Sequence, residues 1–293
     1  MKVSLNRFYG ALGEHKQNFH RRLNRTMQLR DEQAQLDRVI AQIRRDHPAM
    51  SARKMYSMIH PDCMGRDQFI SYCRQQGWML ERQRNYKRTT FSGMRYENLI
   101  AGRRVTAVNQ VWASDITYVE VLGDFHYVTF ITDLYSRRII GWSVSNTLRT
   151  VDTTYPALEQ ALKVRSGMGL DGLIFHSDGG GQYYEKTFTK LLQEQSIKSS
   201  MAYSVYENAH AECINGIIKN EYLKFMTFND IQTLKESIRT AVFRYNYKRP
   251  HGNLAMKTPI QIERSKPEHV LKIHNFKLSN LLTNHAQKVV ITI

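Results

Sequence analysis

The chain has 293 residues, enough to bury a full core, and apolar and charged fractions of 42% and 23% that suit a globular protein. Its net charge of +16, from 42 Lys and Arg against 26 Asp and Glu, points instead to a polyanionic partner, of which nucleic acid is the commonest. No apolar run approaches membrane-spanning length, and the start Met-Lys-Val-Ser-Leu-Asn-Arg lacks a signal-peptide core, so no membrane partner is expected. The charge is uneven. Residues 1–104 carry 21 Lys and Arg against 9 acids, and residues 105–293 carry 21 against 17. The first third therefore reads as a binding region and the rest as a globular domain of modest charge. Cys63, Cys73 and Cys213 are odd in number and widely spaced. They suggest neither a disulfide framework nor a zinc site, and a reducing cytoplasm is the expected setting.

In chain order, residues 6–23 read as a small helical pair exposing Lys16, His20, Arg21 and Arg22. Residues 31–45 form a helix with Leu36, Val39, Ile40 and Ile43 on one face, ended by His47-Pro48. Ser51 caps a second short helix with Met55 and Ile59 inward. Residues 61–65 turn, and residues 67–76 form a third helix using Phe69, Ile70 and Cys73. Arg53, Lys54, Arg66 and Arg74 decorate this trio, as a helix-turn-helix on DNA would require, although three small helices also make a common structural bundle. Residues 1–80 are taken as this helical region. Residues 81–109 are read as a basic linker whose Arg84, Lys87 and Arg88 lie along phosphates.

From residue 110 the period changes. Strands are expected over 111–121, 125–133 and 139–144, then a helix over 150–165 and a strand over 173–177. A helix over 186–195, a strand over 198–201 and a helix over 207–222 follow. The order β-β-β-α-β-α-β-α predicts an α/β fold, a mixed five-stranded sheet flanked by helices, which is the ribonuclease H-like order. The catalytic core is placed at 110–225, and residues 226–293 are read as a C-terminal helix and tail.

Three acids stand out within the core. Asp115 interrupts a strand-forming run, where it costs desolvation unless partnered; the bland alternative is an edge-strand Asp facing water. Asp178 ends an apolar strand before three glycines, where open α/β sheets build sites and where Asp also simply turns the chain. Glu212 shares a helical stripe with Asn208, Asn215 and Lys219, at spacings of four, three and four. An isolated exposed Glu would be merely solvated. Together, three carboxylates on separate elements of a basic protein suit Mg²⁺, a hard ion that takes oxygen ligands and serves phosphoryl transfer.

These stretches resemble the integrase core of bacterial transposases of the insertion-sequence-three family, in its second-reading-frame protein. Trp112-Ala-Ser-Asp115-Ile-Thr-Tyr118 is similar to that family's W-x-x-D-I-T-Y. His176-Ser-Asp178-Gly-Gly-Gly-Gln182-Tyr183 is similar to H-S-D-x-G-x-Q-Y, and Asn208-Ala-His-Ala-Glu212 to N-A-x-x-E with Lys219 and Glu221 following. Tyr245-Asn-Tyr-Lys-Arg249-Pro-His251, with Leu254 and Thr258-Pro259, is similar to Y-N-x-x-R-P-H…T-P. The resemblance covers nearly the whole chain. Two departures stand: the 33 residues between Asp178 and Glu212 are fewer than the family usually has, and Glu207 replaces its usual Asp.

The resemblance implies a DDE-type DNA transposase, with cleavage at the ends of an insertion sequence followed by strand transfer. It implies Asp115, Asp178 and Glu212 as catalytic metal ligands for a pair of Mg²⁺ ions, with Mn²⁺ as a substitute and no zinc. Lys219, Asn208, Gln182, Arg249 and His251 join the basic residues of the first third as expected DNA contacts. Expected partners are terminal-repeat and target DNA, further copies of the chain, and the upstream-frame helix-turn-helix protein as fusion or partner, in the bacterial cytoplasm at the nucleoid. Two rivals remain: another ribonuclease H-like nuclease, against which the basic first third argues, and an inert DNA-binding regulator, against which the three intact acids argue.

Overall fold

The structure is a computed structural model that describes residues 9–10, 13, 15–80, 96–202, 205–265 and 271–273. Two compact units divide the chain, residues 1–82 and 83–293. The expected contacts Arg84, Lys87 and Arg88 lie outside the described residues.

In the first unit, α1 (Lys16–Asp46) is one helix of 31 residues, where the sequence pattern predicts two separate segments. No Gly or Pro interrupts residues 16–46, so nothing breaks the backbone ladder before His47-Pro48. Its C-terminal half buries Leu36, Ile40 and Ile43 against α2 (Ala52–Ile59) and α3 (Arg66–Gln75), through Met50, Met55, Phe69, Tyr72 and Cys73. Val39, expected inward, is 45% exposed, because Ile40 holds the inner face. The Tyr56 and Phe69 rings meet across α2 and α3 at 5.8 Å. Trp78 closes the unit by donating from Nε1 to Asp37 Oδ1 at 3.0 Å.

The second unit is built on strands β1 (Val111–Val121), β2 (Asp124–Asp133), β3 (Ile139–Ser145), β4 (Ile174–Ser177) and β5 (Lys198–Met201). Their order is β3-β2-β1-β4-β5. The first three are antiparallel neighbours, while β4 runs parallel to β1 and β5 parallel to β4. This is the ribonuclease H-like arrangement. Helices α4 (Thr154–Val164) and α5 (Lys186–Glu194) cover one face, where Trp112, Ile131, Leu158, Phe175, Phe188 and Leu192 form a core. Gly141 on β3 lets α4 close in: a Cβ there would lie 2.1 Å from the Ala157 carbonyl oxygen.

The other face carries α6 (Ala209–Ile217), which continues through a single π turn, Ile218–Tyr222, and α7 (Ile231–Tyr247). Val128, Phe130 and Val144 pack there against Ile214, Ile218, Tyr222, Leu234, Ile238 and Tyr245. Residues 226–293, which read from sequence as an appendage, thus supply a core helix, because α7 buries one whole face. Asn246 fixes the outer strand by donating from Nδ2 to the Ile139 carbonyl (2.8 Å) while its Oδ1 accepts from Ile139 N–H (3.0 Å). The last helix, α8 (Pro259–Arg264), is tied in by a buried network. Glu263 accepts from Arg165 (3.1 Å), Arg138 (2.7 Å) and Ser136 Oγ (2.8 Å), and Arg165 also meets Asp133 at 3.2 Å.

Part of the expected linker also belongs to this unit. Ile100 and Val105 are buried in it, and Arg104–Val105 pair with Leu271–Lys272 as a two-stranded ribbon. The pairing spans only two residues on each strand, too few to show as an alternating pattern. No helix among the described residues is long and apolar enough to cross a membrane.

Candidate active site

Strand pairing places the first two acids. The parallel β1–β4 ladder ends at Ser114 opposite Ser177. The next residue on each strand is an acid, Asp115 on β1 and Asp178 after β4. Beyond the last rung the strands part, and the crevice outside the carboxyl ends of parallel strands is where α/β sheets hold ligands.

Asp115 points to the α6 face. Its Oδ1 accepts from Ile116 N–H at 3.0 Å and its Oδ2 from Asn215 Nδ2 at 2.7 Å. Asp178 Oδ1 accepts from Gly180 N–H at 3.1 Å, which curls the glycine loop around it. Space is tight at Gly180, where a Cβ would stand 3.0 Å from Gln182 Oε1 and 3.1 Å from Asp178 Oδ1. Glu212 is exposed in the first turn of α6.

Electrostatics join the three. Burial, then the charges of Asp178 and Glu212, push Asp115 up to about 8 against its two hydrogen bonds. Desolvation raises Asp178, and desolvation followed by the Asp178 charge raises Glu212. None of the three makes an ion pair among the described residues. As they stand, no three described His, Cys, Asp or Glu side chains close around one ion. The three carboxyls thus feel one another's charge without an ion-pair partner among the described residues.

The polar stripe of the last core helix fastens α6 to β1. Asn208 Nδ2 donates to the Ser114 carbonyl at 3.1 Å, Asn215 binds Asp115, and Lys219 Nζ donates to Thr117 Oγ1 at 3.4 Å. Asn208 is expected from the motif to touch DNA, but it is 3% exposed and its amide is used on Ser114. On the opposite face Tyr183 OH and Ser114 Oγ share a hydrogen bond of 2.9 Å, next to Asp115 in sequence. Sequence reasoning marks neither Asn215 nor Tyr183 as a site residue. Tyr183 lies inside a motif and Asn215 on the polar stripe with Glu212, and only the fold shows what they hold.

Arg249 and His251 also depart from the expectation of DNA contact. Both are buried. The Arg249 guanidinium grips Glu221 with two bonds, Nε to Oε2 at 2.8 Å and Nη2 to Oε1 at 2.7 Å, and lies 3.2 Å from His251 Nδ1. Desolvation opposes its charge, yet the Glu221 partnership holds its pKa above the ordinary value. The motif pair is a tie between the end of α6 and the end of α7.

Gln182 stays half-exposed beside the Asp178 loop, its carbonyl accepting from Thr150 Oγ1 at 3.2 Å. Lys219 is half-buried. In the first unit Arg53 and Arg74 are exposed, Lys54 is half-exposed, and Arg66 pairs with Asp67 at 2.9 Å.

Comparison with known proteins gives the family of the chain. Two integrase core domain models match, over residues 105–204 and 194–259. A putative transposase for insertion sequence element IS986/IS6110 of Mycobacterium tuberculosis is 36% identical over 163 residues, covering 54% of this chain and 58% of the relative. The chain thus matches little more than half the length of that relative. The insertion element IS600 uncharacterized 31 kDa protein of Shigella sonnei is 30% identical over 244 residues, covering 78% of this chain and 86% of its own. The magnesium-bound catalytic core domain of HTLV-2 integrase has a TM-score of 0.43 at 22% identity, over 54% of this chain and 98% of that one. The chain belongs to the insertion-sequence transposases that carry an integrase core domain.

Proposed function

We propose that this chain cleaves DNA strands at the ends of an insertion sequence and joins the freed 3′-hydroxyls to target DNA, with Asp115, Asp178 and Glu212 as its divalent-metal ligands. The observation that carries the reading is the uncompensated carboxylate cluster where the β1–β4 ladder ends. Its donors are all oxygen and anionic, the set that hard divalent cations take. The charges of Asp178 and Glu212 both act on Asp115, and the three carboxylates together would hold the metal. Bound Mg²⁺ ions would polarise the scissile phosphate and stabilise the charge on the attacking and leaving oxygens.

The chain's own groups do the rest. Asn215 and the Ile116 N–H fix the Asp115 oxygens, so the carboxylate is held in one orientation. Gly180 holds Asp178 through its N–H. Lys219, at the end of the same polar stripe, meets a phosphate beside the cluster, and Gln182 faces the strand from the Asp178 side. Arg53, Lys54 and Arg74 of the first unit, with the basic segment of Arg84, Lys87 and Arg88, supply sequence-independent phosphate contacts. The reading includes action as several copies on DNA, and the upstream-frame protein as fusion or partner.

A strand-transfer assay tests it. The full chain is mixed with duplexes bearing the candidate terminal repeats that flank its gene, with Mg²⁺, Mn²⁺, Zn²⁺ or EDTA. Nicked and joined products that need Mg²⁺ or Mn²⁺ are expected. Products that persist in EDTA, or their absence with every divalent ion, would remove the proposal.

A further inference from the structure

We propose that the β1–β2 hairpin carries a nucleotide-stacking platform beside the acidic cluster, built from Phe125 and Tyr118 with the Lys219 ammonium. The inference rests on the DNA reading above and names which part of the DNA this edge of the site takes.

Asp115 and Tyr118 stand on the same strand, about 10 Å apart along it, with side chains alternating to opposite faces, and Lys219 from the α6 side reaches the Tyr118 ring. Beyond Ser114, β1 has no β4 partner, so this stretch borders the open crevice. The hairpin buries Val119, Val121 and Val128, yet it leaves Tyr118 40%, Phe125 52% and, at its turn, Leu122 81% exposed. Single exposed aromatics need no explanation. These two are fixed edge to face, with centroids 5.4 Å apart and planes at 88°.

Lys219 supplies the second element. Its Nζ lies 4.7 Å from the Tyr118 ring centroid and is held by Thr117 Oγ1 at 3.4 Å. The cation is therefore positioned by the aromatic ring. An open ring face joined to a fixed ammonium matches a nucleotide, with base on ring and phosphate on cation. An apolar protein partner would cover the rings and leave the cation buried without a counter-charge, which is costly. A paired base hides its faces in the helix stack. The occupant is therefore an unpaired nucleotide next to the bond being cut. Phe125, the more exposed ring, offers the stacking surface, and Tyr118 links it to Lys219.

The test is equilibrium binding of the full chain, with Ca²⁺ in place of Mg²⁺ so that strands are held uncut. One probe is a short blunt duplex. The other has the same duplex with an unpaired overhang carrying a fluorescent adenine analogue. With wild type, tighter binding of the overhang probe and quenching of the analogue are expected. Phe125→Ala should lose the quenching and weaken overhang binding about tenfold, with blunt binding changed less than about twofold. Phe125→Trp should restore both, and Lys219→Ala should weaken both probes. Thermal unfolding of each variant checks that this exposed position leaves the fold intact.

Equal weakening of both probes by Phe125→Ala, or no change in either, overturns the platform and leaves the DNA reading standing. So does a change in oligomeric state with unchanged probe binding, which would make the patch a protein interface. Failure of wild type to bind either probe would overturn the DNA reading itself, and the platform with it.

Discussion

Asn215 Nδ2 donates to Asp115 Oδ2 at 2.7 Å, while its own Oδ1 is buried without a partner among the described residues. A buried amide that leaves one acceptor unmet to serve a carboxylate acts as a clamp, and the clamp holds the most perturbed acid in the chain. Asn215→Ala should release that oxygen. Hydrogen bonds to charged groups contribute about 1.5–3 kcal/mol, so cleavage should fall roughly tenfold to a hundredfold while the fold persists. Asn215→Asp should be worse, because it sets a fourth anion against Asp115. Strand cleavage by the two variants decides this: an Asp variant as active as wild type removes the clamp.

The three acids should respond to metal as a unit. Asp115→Asn, Asp178→Asn and Glu212→Gln should each abolish cleavage and strand transfer. Mg²⁺ binding to the folded chain alone raises its apparent stability by mass action. The wild-type melting temperature should therefore rise with Mg²⁺, and that of each variant should rise less or not at all. In the absence of metal Asp115→Asn should not destabilise the fold, since burial and the Asp178 and Glu212 charges already disfavour the ionised form of Asp115. A variant that keeps the full Mg²⁺ shift is not altered at a ligand.

The sheet and its order are legible in the sequence because strand alternation and helical stripes are local signals. Val111–Val121 ends as a strand where Gly123 turns the chain, and the stripe of Asn208, Asn215 and Lys219 does face one neighbour. What that neighbour is cannot be read locally. The stripe meets Asp115's strand only because the β1–β4 ladder ends one residue earlier, a long-range register. Arg249 misleads for the same reason. A basic residue in a motif of a DNA-acting family reads as a phosphate contact until a partner 28 residues away, Glu221, is found beneath it. The long α1 escapes for a different cause: the few apolar residues of its N-terminal half, such as Leu23, Met27 and Leu29, stay exposed, so no core face there joins it to residues 31–45.

Close packing predicts a strict demand at Gly141. A methyl group there would meet the Ala157 carbonyl oxygen at 2.1 Å, a backbone atom that cannot rotate away. Gly141→Ala should therefore push α4 off the sheet and cost about 1–3 kcal/mol or more, as overpacked cores do. Chemical denaturation reads the loss directly. The same substitution at Gly169, which a Cβ would leave clear of every atom within 4 Å, should change stability far less.

Salt dependence separates the basic residues of the first unit. Arg53 and Arg74 are exposed, whereas Arg66 already neutralises Asp67. If the first two meet phosphates, each phosphate left unneutralised lowers the slope of log affinity against log salt by about 0.9. Arg53→Gln and Arg74→Gln should each do so, and Arg66→Gln should lower it less. Binding titrations across a salt series check it, and identical slopes for all four proteins would place the phosphate-binding residues elsewhere.

Arg249 distinguishes a structural cation from a DNA-binding one. Its side chain is 3% exposed and makes two bonds to Glu221, which is itself 22% exposed. Removing one partner of a buried pair leaves the other charge without compensation, at a cost of about 3–5 kcal/mol. Arg249→Ala should therefore lower the unfolding midpoint sharply. Arg249→Lys should rescue little, because an ammonium cannot reproduce the two-pronged grip on the carboxylate. A double change, Arg249→Met with Glu221→Gln, removes both charges together and should recover much of the lost stability. DNA affinity per folded molecule should stay near wild type in all three. If instead Arg249→Lys keeps full stability and Arg249→Ala lowers only DNA affinity and its salt slope, the residue belongs to the DNA interface after all.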